Sequence, residues 1–269
     1  MTDKVQVEIK APLATLTLNK PERLNAVDFE MWEGVVQACR AANAAPDVRV
    51  AVLRGAGGCF CAGLDVKAGS TLSRLDLEGA PARALPAIRE HLAHLQSCFT
   101  SLETLRVPVI AEIQRACLGA GLELALCCDI RLAAEGTVFS IPEVQLGIVP
   151  DMGGTQRLPR TIGIGKAKEL IYSGRRIDAA EALRIGLVNA VYPAGDLAAR
   201  VAELAAEIAG NAPLAVQAAK RAIDGTYWAD RESWLEREAF EAAGPLLSED
   251  RGAGMRAAAE RKRADFKGR

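Results

Sequence analysis

Histidine is rare in this 269-residue chain, which contains only His91 and His94. Two histidines leave little room for a histidine-based metal site. Cys59 and Cys61 could in principle join them, but structural zinc sites favour C-x2–4-C spacing over the C-x-C found here. The sequence therefore predicts no metal site.

Long apolar runs, an N-terminal pattern typical of a secretory signal and an excess of charge are also missing from the sequence. No apolar run approaches the roughly 20 residues needed to cross a bilayer, and the N-terminal MTDKVQVEIK lacks the basic-then-apolar order of a secretory signal. The formal net charge is -1, which gives no electrostatic attraction for nucleic acid or for an anionic membrane. We expect a soluble, cytoplasmic protein with neither kind of partner.

Paired cysteines are missing as well. The chain has seven cysteines, an odd number without the regular spacing of a disulfide framework. This usage is typical of reduced thiols buried in a cytosolic protein.

Short strand and helix patterns alternate over the first two thirds of the chain. Runs of β-branched or continuous apolar residues at 5–9, 15–18, 48–53 and 107–113 predict strands, and Asp28 predicts the cap of a helix reaching about Asn43. From Asp178 the chain is almost wholly helical, with breaks near 192–193, 211–213 and 244–245. The pattern predicts an α/β or α+β fold of stacked β-β-α units with a C-terminal helical region. We place the core in residues 1–195 and the helical region in 196–269, without an independent second domain.

Three acids stand out in the segment Cys117–Leu158, because Glu123, Glu143 and Asp151 each lie in an apolar neighbourhood. An unpaired carboxylate is costly there, so the three acids indicate chemistry. Each also has a purely structural interpretation. Glu123 and Glu143 could be ordinary first-turn glutamates that favour the helix dipole, and Asp151 could be a helix N-cap.

Five motifs occur in one order over essentially the whole chain: LNKPERLNAVD, FCAGLDVK, CLGAGLELALCCDIR, FSIPEVQLGIVPDMGGTQRLPR and RKRADFKGR. Together they resemble the crotonase superfamily, the enoyl-CoA hydratases and isomerases. The resemblance implies a spiral of repeated β-β-α units, an acyl-CoA thioester substrate and a role in fatty acid β-oxidation. It also implies no metal or redox cofactor, since coenzyme A is part of the substrate. A homo-oligomer, either a trimer or a dimer of trimers, would use residues 196–269 for trimerisation and for closing the CoA pocket.

The resemblance also assigns residues. The backbone amides of Leu64 and Ala120 would form an oxyanion hole for a thioester enolate, and Glu123 and Glu143 would hold one water between them. The implied substrate-binding residues are Arg23, Leu24 and Ala26 in the pantetheine and nucleotide groove, Ala62, Asp65, Val66 and Lys67 at the adenine end, and Arg261 at the CoA phosphates. For Arg261, a solvated cationic helix end is an equally simple interpretation. Arg115 stands where relatives commonly have a glycine.

Asp151 leaves two reactions open. Many hydratases of the family carry a glycine at this position, whereas an acid resembles the dienoyl-CoA isomerases. One hypothesis is therefore syn hydration of a trans-2-enoyl-CoA by Glu123 and Glu143. The other is isomerisation of a 3,5-dienoyl-CoA to a 2,4-dienoyl-CoA by Glu143 and Asp151. A catalytically silent scaffold or RNA-binding member is a third, which the intact acids and the neutral net charge disfavour. The sequence predicts no acyl chain length.

Overall fold

The computed structural model describes residues 3–66, 81–226 and 230–269, and the side chains of the second range from residue 84. The strands are β1 (Val5–Lys10), β2 (Leu13–Leu18), β3 (Val50–Gly55), β4 (Val109–Ile113), β5 (Ala116–Leu118), β6 (Ile130–Ala134), β7 (Val138–Ser140), β8 (Ile177–Asp178) and β9 (Ala190–Tyr192). The helices are α1 (Phe29–Ala44), α2 (Pro81–Glu103), α3 (Ala120–Ala125), α4 (Gly154–Ile162), α5 (Ile164–Ser173), α6 (Ala179–Arg184), α7 (Leu197–Ala209), α8 (Pro213–Gly225), α9 (Arg231–Leu247) and α10 (Glu249–Ala259).

The strands form two sheets. The larger sheet has the order β1-β2-β3-β4-β6-β9 and the smaller one β5-β7-β8. Strands β1 and β2 form an antiparallel hairpin, and β2, β3, β4, β6 and β9 run parallel. The chain passes from the large sheet to the small sheet and then into a helical segment twice, through β4-β5-α3 and through β6-β7 with the helical turn that follows. These passes are the repeated β-β-α units, so the predicted α/β architecture is confirmed.

Both faces of the large sheet are covered. All five residues of β4 are buried, as expected for a parallel strand between two layers. One face contributes to the main core with α1, α2 and α3, and the other packs against Leu197, Val201 and Ala205 of α7. Helix α7 is therefore part of the packing of the sheet. The boundary between residues 195 and 196 stays a prediction.

Local predictions succeed where one pattern dominates. Asp28 caps α1 as predicted, since its Oδ1 accepts a hydrogen bond from the amide of Met31 at 3.1 Å. The break expected near Pro245 is wrong, because Pro245 lies in the last turn of α9 and the helix ends only at Leu247. Strand β9 was not predicted, since its three residues become a strand only by pairing with β6. No helix of the described residues is both long and apolar enough to cross a bilayer.

Candidate active site

Two turns are held side by side at the end of the small sheet. The segment after β3 runs parallel to β5 through a bridge between Cys61 and Cys117. The amide of Cys61 donates to the carbonyl of Ala116 at 3.0 Å, and the amide of Leu118 donates to the carbonyl of Cys61 at 3.1 Å. These bonds place turn 62–64 next to turn 118–120.

Each turn offers one backbone N–H. Val27 donates to the carbonyl of Gly63, and Asp65 donates to the carbonyl of Val27. Because successive groups of an extended chain point to opposite sides, the N–H of the intervening Leu64 faces away from Val27. Ala120 is the first residue of α3, so its N–H has no acceptor within the helix. Both residues line one cavity, an arrangement that supports the predicted oxyanion hole.

Gly119 shapes the second turn. Its φ of 50° and ψ of -124° lie outside the regions open to residues with a side chain. A Cβ there would lie 2.7 Å from Oε1 of Glu143. The missing side chain therefore lets the Glu143 carboxylate lie directly against the turn that carries Ala120.

The cavity between the turns has a volume of about 190 Å³ and brings the three predicted acids together. Apart from the acids and the two turns, its walls are mostly apolar. The lining residues are Trp32, Ala62, Gly63, Leu64, Val66, Leu92, Leu95, Leu118, Gly119, Ala120, Glu123, Pro142, Glu143, Leu146, Ile148, Asp151 and Met152.

Glu123 is 2% exposed and is held by two backbone amides. Its Oε1 accepts hydrogen bonds from Met152 at 3.0 Å and from Gly154 at 2.8 Å. Burial, and then the charge of Glu143, raise the pKa of Glu123 to about 8, although the two amide bonds oppose the shift. A carboxyl that titrates near neutral pH suits proton transfer.

Glu143 begins a single 3-10 turn, Glu143–Leu146, for which Pro142 is the N-cap. Among the described residues, no hydrogen-bond partner exists for its buried Oε2. Burial raises the pKa of Glu143 to about 7, with a smaller contribution from the charge of Asp151. The carboxyls of both glutamates therefore ionise closer to neutral pH than a free glutamate does.

Asp151 lines the cavity instead of capping a helix. Helix α4 begins at Gly154, and its N-cap is Gly153 in a left-handed conformation without any side-chain cap. The N-cap interpretation of Asp151 is therefore wrong. Burial raises the pKa of the Asp151 carboxyl, and its charge raises the pKa of both Glu123 and Glu143.

Comparison with known proteins agrees with this geometry. Residues 8–269 match the family model described as enoyl-CoA hydratase/isomerase. The chain belongs to the enoyl-CoA hydratase/isomerase family. It is 36% identical to the crotonyl-CoA hydratase of Syntrophomonas wolfei over 98% of both chains. It is also 36% identical to the peroxisomal Delta(3,5)-Delta(2,4)-dienoyl-CoA isomerase of Arabidopsis thaliana, over 87% of this chain and 85% of the relative.

A solved structure supports the same assignment. The crystal structure of an enoyl-CoA hydratase from Bacillus anthracis matches with a TM-score of 0.88 at 36% identity, over 99% of this chain and all of that chain. The crotonase-type spiral expected from the motifs is confirmed.

The loop between Asp151 and Gly154 is held by two side chains of this hydratase/isomerase family member. Sequence reasoning missed both of them. Gln96 of α2 donates from Nε2 to the carbonyl of Asp151 at 2.6 Å. Arg157 donates from Nη1 to the carbonyl of Met152 at 3.0 Å and pairs with Glu103. The clamp fixes the backbone that supplies Glu123 with its two amides. Arg157 lies in the motif FSIPEVQLGIVPDMGGTQRLPR, but its position in that motif does not show that its side chain contacts residue 152.

The predicted substrate-binding residues fall into two groups. Ala62 and Val66 line the cavity, whereas Arg23, Leu24, Ala26, Asp65 and Arg261 do not. Lys67 lies outside the described residues. Contacts between these residues and coenzyme A stay predictions.

The carboxylate of Asp65 forms ion pairs with other side chains of the protein. It is 4% exposed and forms ion pairs with Lys20 at 2.8 Å and Arg23 at 2.9 Å. In this arrangement Asp65 holds the half-exposed guanidinium of Arg23 in place. Arg261 is exposed and follows α10.

Arg115 adopts a left-handed φ of 62°, the region that glycine favours. Its carbonyl accepts a hydrogen bond from Val138 at 3.0 Å, so β5 and β7 stay paired despite the arginine. The turn is thus formed with arginine at this position.

We expect Glu123→Gln to stabilise the ligand-free protein at alkaline pH. The pKa of Glu123 is raised from 4.5 to about 8, so its contribution to stability is complete below the lower value and is lost as pH rises through the higher one. Glutamine does not ionise, and its Oε1 can still accept both amide bonds. The free energy of unfolding of the variant, relative to the parent, should rise by a few kcal/mol between pH 5 and pH 9.

Urea unfolding at the two pH values measures this difference. Glu135→Gln is the control, because Glu135 is exposed and lies outside the lining of the cavity. An equal effect at pH 5 and pH 9 for Glu123→Gln would contradict the shifted titration.

Proposed function

We propose that this protein is an enoyl-CoA hydratase, which adds water to the same face of C2 and C3 of a trans-2-enoyl-CoA to give a 3-hydroxyacyl-CoA. The observation that carries the proposal is the pair of buried glutamates facing one cavity, next to the amides of Leu64 and Ala120. Relatives named as hydratases support it.

The two amides would act on the thioester carbonyl. Attack of water at C3 places negative charge on the carbonyl oxygen, and preorganised N–H donors stabilise that charge by about 3 kcal/mol each. Ala120 adds the positive end of the α3 dipole. Turns with small residues at 62, 63, 119 and 121 leave room for the oxygen.

The two glutamates would handle the water. Its oxygen forms the bond to C3, one of its protons passes to Glu123, and Glu143 delivers a proton to C2. Glu123 is fixed by the amides of Met152 and Gly154, and Glu143 has a buried oxygen, Oε2, that is available to a ligand. Because burial raises the pKa of both carboxyls toward neutral pH, each can hold or release a proton there, so one can act as base while the other acts as acid. The reaction involves no net oxidation or reduction, so it requires no redox cofactor, and CoA enters as part of the substrate.

Dienoyl-CoA isomerisation is the second candidate, and the position of Asp151 favours it. Asp151 lines the same cavity as Glu143, so a proton taken from one carbon of a 3,5-dienoyl-CoA could return at another. One relative named for this isomerisation is 36% identical.

Purified protein assayed with a trans-2-enoyl-CoA and with a 3,5-dienoyl-CoA distinguishes the two candidates. We expect hydration to fall sharply in Glu123→Gln and to persist in Asp151→Asn. Isomerisation that depends on Asp151, without hydration, would overturn the hydratase proposal.

We also propose a cytoplasmic homo-oligomer, a trimer or a dimer of trimers, acting in fatty acid β-oxidation. The C-terminal helices support the assembly. Phe240, Leu247 and Met255 are 72%, 88% and 69% exposed, and α8, α9 and α10 enclose an apolar cavity of about 710 Å³. Apolar surface of this extent is typical of a subunit interface.

A further inference from the structure

Helices α1 and α2 carry a cluster of three side chains of metal-binding types, outside the cavity that contains the three acids. Glu33 lies on α1, and His94 and Cys98 lie on α2. One ligand atom from each of the three lies within 4.8 Å of the others. Oε1 of Glu33 and Nε2 of His94 are 2.7 Å apart, and Cys98 is fully buried beneath them.

The helical geometry explains why the three groups converge. His94 and Cys98 are four residues apart and therefore lie on one face of α2. Phe29, one turn before Glu33 on α1, places its ring 6.2 Å from the ring of His94 and 6.4 Å from that of His91. This contact holds the imidazole of His94 on the side of α2 that faces α1.

The same seam between α1 and α2 contains two further polar atoms without partners. Within the described residues, buried Oε1 of Gln37 and buried Nε2 of His91 have no hydrogen-bond partner. Gln37 lies one turn after Glu33, and His91 lies one turn before His94. Buried polar atoms are seldom left unpaired in native proteins, and a bound water or ion is one of the explanations for such an atom.

We propose that Glu33, His94 and Cys98 bind a divalent transition-metal ion of the zinc class, with water in the fourth position. A carboxylate, an imidazole and a thiolate form the mixed O, N and S set that suits Zn²⁺. The magnesium class requires oxygen ligands instead. The Glu33 and His94 side chains are 38% and 48% exposed, which gives the ion a path from solvent.

Binding exchanges bonds as follows. The proton held between Oε1 of Glu33 and Nε2 of His94 moves to Nδ1 or to solvent, and the thiol proton of Cys98 passes to solvent. Three waters leave the hydrated ion as three metal–ligand bonds form. The site uses neither Cys59 nor Cys61, so it differs from the C-x-C combination that its spacing disfavours.

An ion at this site would affect the wall of the cavity that contains the three acids. Trp32 and Leu95, the chain neighbours of Glu33 and His94, line this cavity. A metal ion joining α1 to α2 would fix the separation of the two helices that form this wall. Metal binding itself does not depend on which reaction the acids perform.

Titration of the full chain with Co²⁺ and with Zn²⁺ tests the site. We expect one ion per chain and a thiolate-to-cobalt charge-transfer band, which oxygen ligands such as the cavity acids cannot produce. Cys98→Ser should abolish the band. His94→Gln, at a half-exposed position that tolerates substitution, should weaken Zn²⁺ binding at least about tenfold.

Cys128→Ser is the matched control, because Cys128 is also buried but lies outside the cluster, and it should retain the band. Absence of the charge-transfer band in the parent protein would overturn the proposal. Unchanged Zn²⁺ affinity in both His94→Gln and Cys98→Ser would also overturn it.

Discussion

Replacing Glu143 by glutamine should lower kcat for enoyl-CoA hydration by about 10²- to 10⁴-fold, the usual contribution of a general acid or base. Glutamine keeps the shape of the side chain but cannot deliver a proton. Because Oε2 of Glu143 has no partner among the described residues, the substitution breaks no hydrogen bond of that oxygen. The loss should therefore appear in kcat, with KM much less affected.

Steady-state kinetics and thermal unfolding together measure this effect. Glu135→Gln again serves as the control, since Glu135 is exposed and lies outside the cavity lining. A folded Glu143→Gln protein that retains more than about a tenth of the parent kcat would show that Glu143 is not a principal proton-transfer group.

Replacing Gly119 by alanine should lower kcat/KM by about 10²- to 10³-fold, comparable to the loss of one oxyanion donor. The new Cβ would lie 2.7 Å from Oε1 of Glu143. Either the turn that carries the Ala120 amide or the Glu143 carboxylate must then move. A single methyl group would thus disturb both halves of the proposed mechanism.

Gly136→Ala separates backbone strain from this steric effect. Gly136 also has a left-handed φ, of 76°, but a Cβ there would meet no atom within 4 Å. Gly136→Ala should lose about 1–2 kcal/mol of stability from its left-handed φ. Gly119→Ala should lose more stability, because its ψ of -124° lies outside the left-handed helical region, and only Gly119→Ala should lose activity. Equal activity losses in the two folded variants would assign the effect to strain instead of the site.

Much of the fold was predictable because several segments carry one strong local signal. Asp28 begins α1 as a capping residue should, and β3 and β4 overlap the predicted runs at 48–53 and 107–113. Strand β9 was not predictable from its own residues, since its conformation depends on a partner almost sixty positions earlier in the chain. Pro245 was a misleading signal, because proline is tolerated near the end of α9.

The parts of the site that lie in recognisable sequence motifs were predictable. The three acids and the two turns came from sequence, and the structure places all of them around one cavity. The clamp formed by Gln96 and Arg157 was not predictable, because it joins α2 and α4 to a loop through side-chain contacts with backbone carbonyls. The cap interpretation of Asp151 failed because the left-handed Gly153 takes the N-cap position itself.

Isotope incorporation tests the central claim most directly. Purified protein is incubated with a trans-2-enoyl-CoA in a mixture of H₂¹⁸O and D₂O, and the product is analysed by mass spectrometry. The account predicts a 3-hydroxyacyl-CoA with one solvent oxygen at C3 and one solvent hydrogen at C2, and its formation should fall sharply in Glu143→Gln. Absence of solvent oxygen from the product, or undiminished labelling in Glu143→Gln, would contradict it.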